Sequence, residues 1–272
     1  MDEPARDTPN FKAEAVVALA YFGVYLAYLF FSLENEAAHW LSLVLLPLGT
    51  LVFLHRRRGY PLRETLASVG LKKGNLSRGL LWAVILGLVL SALQLVASDR
   101  SAAILEIVSS GSIAYLLPLT FVFLLLTAGF TEEFFFRGVL QTRLGALTGS
   151  RVWAVFATSV LFGFYHLPYA YLNPNWPSYG DFGAALISAL GQGIIGGLVL
   201  GFIYERTDRN LVASVLVHTL INLLPATTMI HIDGGKHLHD DAESWNCRSI
   251  QEKRSEFTCF LICLQLSVPL IS

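Results

Sequence analysis

Ionisable side chains lie inside an otherwise apolar part of this sequence. Glu132 and Glu133 directly follow the uncharged stretch 107–131, and Arg137 comes four residues after Glu133. Charges at such a depth in a membrane segment are costly, so they are usually paired and functional. Residues four apart share a helix face, and Glu before Arg is the favourable order. The spacing therefore predicts a Glu133–Arg137 ion pair.

The neighbouring acid, Glu132, points about 100° away from Glu133 around the same helix. No basic residue lies three or four residues from Glu132, and Arg137 lies on the helix face of Glu133. We therefore expect Glu132 to be the carboxylate that does chemistry, because a positioned glutamate can take a proton from water as a general base.

A histidine, His166, follows on the next apolar segment. Glu132 lies 17 residues before Gly149, and His166 lies 17 residues after it. If the GALTG sequence at 145–149 is the turn between two antiparallel helices, both side chains reach the same depth, roughly 25 Å from the turn. The spacing predicts that they face each other.

A second polar pair, His218 and Asn222, is four residues apart on a later apolar segment and shares one helix face. An imidazole and an amide can stabilise a developing oxyanion. Histidine can equally bind zinc, with Glu132, His166 and His218 as the candidate ligands. Hydrogen bonding between helices is the alternative. The pair lies roughly 13–20 Å from its own turn, so tilt or a broken helix must bring it level with Glu132.

The composition indicates the scaffold that positions these groups. Of 272 residues, 54% are hydrophobic and only 14% are charged, against about 25% charged in an average globular protein. A membrane span needs about 20 mostly apolar residues. We predict an all-α, polytopic transmembrane helical bundle of about seven spans, with a possible eighth at the end of the chain. The seven spans are 15–32, 40–54, 79–98, 107–131, 152–166, 182–204 and 211–230.

Charge and cysteine content exclude other classes. The net charge of −1 and the lack of any nucleic-acid motif argue against a nucleic-acid partner. Every cysteine lies beyond residue 246, so the main body has neither a cysteine nucleophile nor a disulfide framework. The basic stretch 55–78, with Leu62, Leu66 and Val69 at helical spacing, predicts a surface helix on the cytoplasmic side. The N-terminus and the active-site side then face the cytoplasm as well.

The polar residues form three ordered motifs: EExxxR at Glu132, Glu133 and Arg137, FxxxH at Phe162 and His166, and HxxxN at His218 and Asn222. In this order and on successive membrane helices, they resemble the CAAX protease and bacteriocin-processing family of intramembrane proteases, also called the Abi or type 2 CAAX prenyl protease group. The resemblance covers roughly residues 75–230.

This resemblance implies an intramembrane endopeptidase of CAAX-type or other membrane-associated substrates. The substrate would be a peptide or protein C-terminus, prenylated or not, reached within the lipid bilayer. Glu132 would activate the water and His166 would help to hold it. The family has been described both as metalloproteases and as metal-free glutamate-dependent proteases. Zinc therefore remains open, although no HExxH sequence is present.

The remaining motif residues would support that chemistry. By the resemblance, Glu133 would be tied to Arg137, and His218 with Asn222 would form the oxyanion hole. The chain then divides into a polar tail (1–12), two spans with the basic loop (13–74), a catalytic helical core (75–230) and an ending (231–272). That ending is polar with a short apolar end, and it fits either an eighth span or an unnatural sequence such as a shifted reading frame.

Two non-proteolytic functions stay open at this point. The chain could be a non-catalytic membrane protein that binds or sequesters a partner, in self-immunity or as a scaffold. Intramembrane Glu and His could also form the proton relay of a transporter, although no inverted repeat is visible in the sequence.

Overall fold

The computed structural model describes residues 10–33, 35–72, 76–97, 101–174, 176 and 178–236. Within these ranges the backbone is helical and contains no strand. The helices are α1 (Phe11–Leu29), α2 (Ala37–Arg57), α3 (Leu62–Ser68), α4 (Leu76–Ala97), α5 (Ser101–Ser109), α6 (Ile113–Thr148), α7 (Arg151–Leu172), α8 (Phe182–Arg206) and α9 (Leu211–Lys236).

Six of these helices are long and apolar enough to cross a membrane: α1, α2, α6, α7, α8 and α9. The third predicted span corresponds to α4, whose described apolar part, Leu80–Leu93, is shorter. The prediction of an all-α, polytopic transmembrane bundle is confirmed. The apolar stretch 257–272, considered above as an eighth span, lies outside the described residues.

Two predicted boundaries are wrong. The segment around Glu106, left between the third and fourth predicted spans, belongs to the helix α5. The fourth span begins at Ile113 rather than at residue 107, because Gly111 turns the chain with φ +75°. The fifth span does not end at residue 166 but continues through Pro168 to Leu172. Tyr169 and Ala170 are buried in the core beyond the proline, so tertiary packing maintains the helix there.

Glycines let α7 and α8 approach closely. A Cβ on Gly193 would overlap the backbone of Gly163, and a Cβ on Gly197 would lie 2.8 Å from Ser159. This contact pairs the two helices that follow α6 and fixes the depth of His166 within the bundle.

The helices α1, α2 and α6 meet at one end of the molecule, which we call the basic end because α2 and α8 finish there at Arg57 and Arg206. Buried Glu14 of α1 accepts from His55 Nε2 at 3.1 Å and from Arg143 Nε at 3.3 Å. These contacts fasten α1 and α2 to α6.

A strap, residues 68–72, begins at the last residue of α3 and crosses this end. The predicted surface helix is present, with Leu62 43% exposed, but Val69, which belongs to the strap, is fully buried. The apolar face of the segment is therefore used partly against the protein rather than wholly against the bilayer.

Candidate active site

The two adjacent glutamates lie on a short α-helical section of α6, Phe130–Glu133, between two π-helical sections. The first, Leu125–Gly129, contains a kink at Thr127 with φ −94° and ψ −108°. The Thr131 hydroxyl donates to the Thr127 carbonyl at 2.8 Å across this kink. Wide turns of this kind are frequent at functional sites, because they re-aim the side chains beside them.

The predicted ion pair on α6 is present. Arg137 Nε lies 3.3 Å from Glu133 Oε2, and both side chains are fully buried. The Arg137 guanidinium also lies over the Phe162 ring, with Cζ 4.8 Å from its centroid. The charge of Glu133 is thus balanced on its own helix, as the spacing of four residues indicated.

His218 connects the two glutamates, which the sequence did not reveal. Its Nδ1 donates to Glu133 Oε1 at 3.1 Å, and its Nε2 lies 3.8 Å from Glu132 Oε2. Glu132 is only 2% exposed and His218 5%. A carboxylate on Nδ1 fixes the orientation of an imidazole ring and the role of its second nitrogen, so Nε2 faces Glu132.

The depth mismatch expected between Glu132 and His218 is resolved without a broken α9. A Cβ on Gly138 of α6 would lie 2.7 Å from the Val69 carbonyl of the strap. The Leu211 N–H at the start of α9 donates to the adjacent Gly70 carbonyl at 3.0 Å. Gly138 and Leu211 therefore lie at the same depth along the helix axes, and α6 extends beyond the first residue of α9 at the basic end.

Measured from the level of Gly138 and Leu211, Glu132 and His218 lie at nearly the same depth. Glu132 lies six residues from Gly138, or about 9 Å, and His218 lies seven residues from Leu211, or about 10 Å. The earlier estimate used the Gly149 turn as its origin, and α6 runs well past the strap before reaching it.

The antiparallel pairing of α6 and α7 has the predicted register. Gly149 forms the turn with φ +70°. Phe136 and Phe162, each 13 residues from Gly149, are in ring contact at 4.9 Å. The His166 ring lies 4.5 Å from that of Phe162, and its Nδ1 donates to the Phe162 carbonyl at 2.7 Å. Because Nδ1 carries the proton of the neutral ring, the His166 Nε2 is free to accept a hydrogen bond.

Asn222 lies one turn beyond His218 on α9 and is 4% exposed. Among the residues that the structure describes, none hydrogen-bonds its amide. The side chain therefore retains its two donors for a ligand.

Zinc does not fit the arrangement. Over the described ranges, no three or more His, Cys, Asp or Glu side chains are grouped so that they could hold a metal ion. Glu132, His166 and His218 are therefore not arranged as a zinc site in this geometry, and zinc enters none of the steps proposed below.

Two neighbours of the site, Tyr165 and His39, could not be predicted from the sequence. Tyr165 packs against His166 at 5.0 Å between ring centroids, and its hydroxyl lies 3.4 Å from Nδ1 of His39, a buried histidine of α2. His39 is a lone histidine near the start of an apolar helix, and no spacing in the sequence relates it to α7. The His218 contact to Glu133 was missed for the same reason.

Comparison with known protein families identifies this part of the fold. Residues 114–224 match the family model described as type II CAAX prenyl endopeptidase, Rce1-like. The predicted resemblance is confirmed. The matched range contains all three motifs and runs from the second residue of α6 into α9. Neither the curated proteins nor the solved structures contain a match to the chain.

The Rce1-like match indicates a protease, a hydrolase that acts on a peptide or protein substrate. Together with the apolar helices, it indicates an integral, multi-pass membrane protein.

Proposed function

We propose that this protein is an intramembrane endopeptidase that hydrolyses a peptide bond with a water activated by Glu132. The observation that carries the proposal is the convergence of Glu132, Glu133 and His218, from two helices, in one buried group. Buried charges in a membrane helix are costly. An ion pair alone would explain Glu133 and Arg137, but neither Glu132 nor His218.

In the first step, Glu132 takes a proton from water, and the resulting hydroxide attacks the carbonyl carbon of the scissile peptide bond. The acceptor nitrogen of His166 holds the water, because its Nδ1 proton is committed to the Phe162 carbonyl. Glu132 then returns the proton to the leaving nitrogen, so the C–N bond breaks to give a carboxylic acid and an amine.

The oxyanion formed by this attack needs hydrogen-bond donors, because the buried site is shielded from bulk water. His218 supplies one from Nε2 when both ring nitrogens carry protons, and the Asn222 amide supplies another. Protonated His218 and Arg137 together balance the two glutamates, so the buried group has no net charge. Glu133 and Arg137 hold His218 in position rather than react.

The substrate we propose is a CAAX-type C-terminus or another membrane-associated peptide, cleaved near the cytoplasmic side. The Rce1-like family description supports a prenylated peptide. The concentration of arginines at the basic end supports a cytoplasmic location for that end.

The test is cleavage by purified protein of a quenched fluorescent peptide with a farnesylated cysteine and three residues after it. Glu132→Gln should lower kcat by at least about 10²-fold, because it removes the general base. Glu64→Gln, which changes an exposed side chain of α3, is the control and should cleave normally. Full cleavage by Glu132→Gln would exclude the mechanism. If the wild type binds the peptide but does not cleave it, the sequestering function is favoured instead.

A further inference from the structure

Two buried side chains that follow the motif on α6, Thr142 and Arg143, take no part in the proposed chemistry. Thr142 is 7% exposed and Arg143 is fully buried. A buried arginine in a membrane helix is costly unless it is paired and useful. Both residues stand at the point where α6 returns from its second π-helical section, Phe134–Gln141, to α-helical geometry.

Backbone carbonyls at this transition accept hydrogen bonds from side chains. The Thr142 N–H donates to the Val139 carbonyl, only three residues back. The Arg137 carbonyl instead accepts from the Thr142 hydroxyl at 3.2 Å, and the Gly138 carbonyl accepts from Arg143 Nη1 at 3.1 Å. Each side chain thus reaches five residues back, the distance that a backbone N–H spans in a π-turn.

The same side chains are held from outside α6. The Thr142 hydroxyl lies 3.1 Å from the Tyr204 hydroxyl of α8. Arg143 donates to the Ser68 carbonyl at 2.8 Å and to the Ser68 hydroxyl at 2.9 Å on the strap, and to Glu14 on α1. Because three elements anchor the donors, the wide turn cannot tighten without breaking contacts to all of them.

We propose that Thr142 and Arg143 are positioning residues, which fix the register of the π-helical section and so keep Glu132 and Glu133 turned towards His218. If that section tightened to α-helical geometry, both glutamates would rotate about the helix axis relative to the anchored Thr142 and Arg143. Glu133 would then lose its contact with His218. The inference rests on the proposed hydrolytic function.

The experiment compares Thr142→Val, which keeps the shape and removes the hydroxyl, with Thr142→Ser, which restores it. Thr158→Val is the matched control, since Thr158 is buried on α7 and its hydroxyl donates to the Ala154 carbonyl at 2.7 Å. Purified full-length variants are assayed on the farnesylated peptide. Because small misplacements of catalytic groups are costly, Thr142→Val should lower kcat about tenfold to hundredfold with little change in KM.

Thr142→Ser should recover most of that kcat, and Thr158→Val should keep it, although both valine variants shift Tm similarly. If Thr142→Val retains the kcat of Thr158→Val, the positioning inference is wrong, while cleavage by the wild type still supports the proposed function. If the wild type does not cleave, the proposed function fails and the inference fails with it. Should Thr142→Val not fold, Arg143→Lys decides, and wild-type kcat in that variant overturns the inference.

Discussion

At the scale of single residues, the imidazole of His218 is the centre of the candidate site. It contacts Glu133, which Arg137 also contacts, and it faces Glu132. In a low-dielectric interior each of these charges would be costly alone, because removing one partner strands the other. The energetic coupling of these neighbours should therefore be large and measurable.

We expect Arg137→Gln to destabilise the protein by about 3–5 kcal/mol, because it leaves the Glu133 charge buried. The double variant Glu133→Gln/Arg137→Gln should lose less free energy of unfolding than the sum of the losses in the two single variants. Thermal unfolding of purified protein in detergent measures both. The partly exposed pair Glu205 and Arg209, also four residues apart at 3.1 Å, is the matched control. Its coupling should be only about 0–1 kcal/mol, and equal coupling in both pairs would contradict the prediction.

The amide of Asn222 provides a second prediction at this scale. Asn222→Ala should lower kcat about 10²–10³-fold with KM little changed, because an oxyanion donor acts mainly in the transition state. Thr227→Val, a buried polar change five residues further along α9, should leave kcat unchanged. A loss confined to KM would instead place Asn222 in substrate binding.

At the scale of elements, the contact between α6 and α9 brings the motifs together. A Cβ on Gly129 would lie 2.5 Å from the Thr219 hydroxyl. Gly129 lies about one turn before Glu132 on α6, and Thr219 directly follows His218 on α9. Glycine is needed here because no side chain fits between the helices. The preceding kink at Thr127 directs the α-helical section that carries both glutamates.

Gly129→Ala should therefore push α6 and α9 apart, with a cost of about 1–3 kcal/mol from overpacking and a fall in kcat. Gly196→Ala is the control, since a Cβ on Gly196 of α8 meets no atom within 4 Å. That variant should be neutral or slightly stabilising, because alanine is the better helix former. The proposed contact would be refuted if both variants kept wild-type Tm and activity.

At the scale of the whole molecule, the strap joins the two halves of the chain at the basic end. Asn210 between α8 and α9 donates to the Lys72 carbonyl at 3.3 Å, and Leu211 donates to Gly70. The strap thus lies across the gap between α6 and α9, about 10 Å from Glu132 and His218 along the helices. Its arginine-rich surroundings predict that this end faces the cytoplasm.

Single cysteines test that orientation. In a background with the three native cysteines replaced by serine, Thr148→Cys marks the α6–α7 turn and Tyr179→Cys marks the connector before α8. Both positions are exposed. A membrane-impermeant maleimide added to intact cells should label Tyr179→Cys only, because positively charged turns stay inside. After permeabilisation, both should react, and the opposite pattern in intact cells would invert the predicted topology.

Features that depend on local spacing could be read from the sequence. Apolar runs indicated the membrane helices, and the four-residue spacing indicated the Glu133–Arg137 pair. Equal distances from Gly149 gave the register in which Phe136 meets Phe162. Helical periodicity and hydropathy determine such features directly, because they involve residues near in sequence or related by one turn.

The position of His218 between the glutamates was decided only by the tertiary structure. Its contact with Glu133 joins residues 85 apart, and it depends on how far α6 projects past the strap. The role of the buried Arg143 likewise depends on its contacts with Glu14 and Ser68, which are distant in sequence. Such contacts arise from the packing of whole helices, which the spacing within any one helix does not determine.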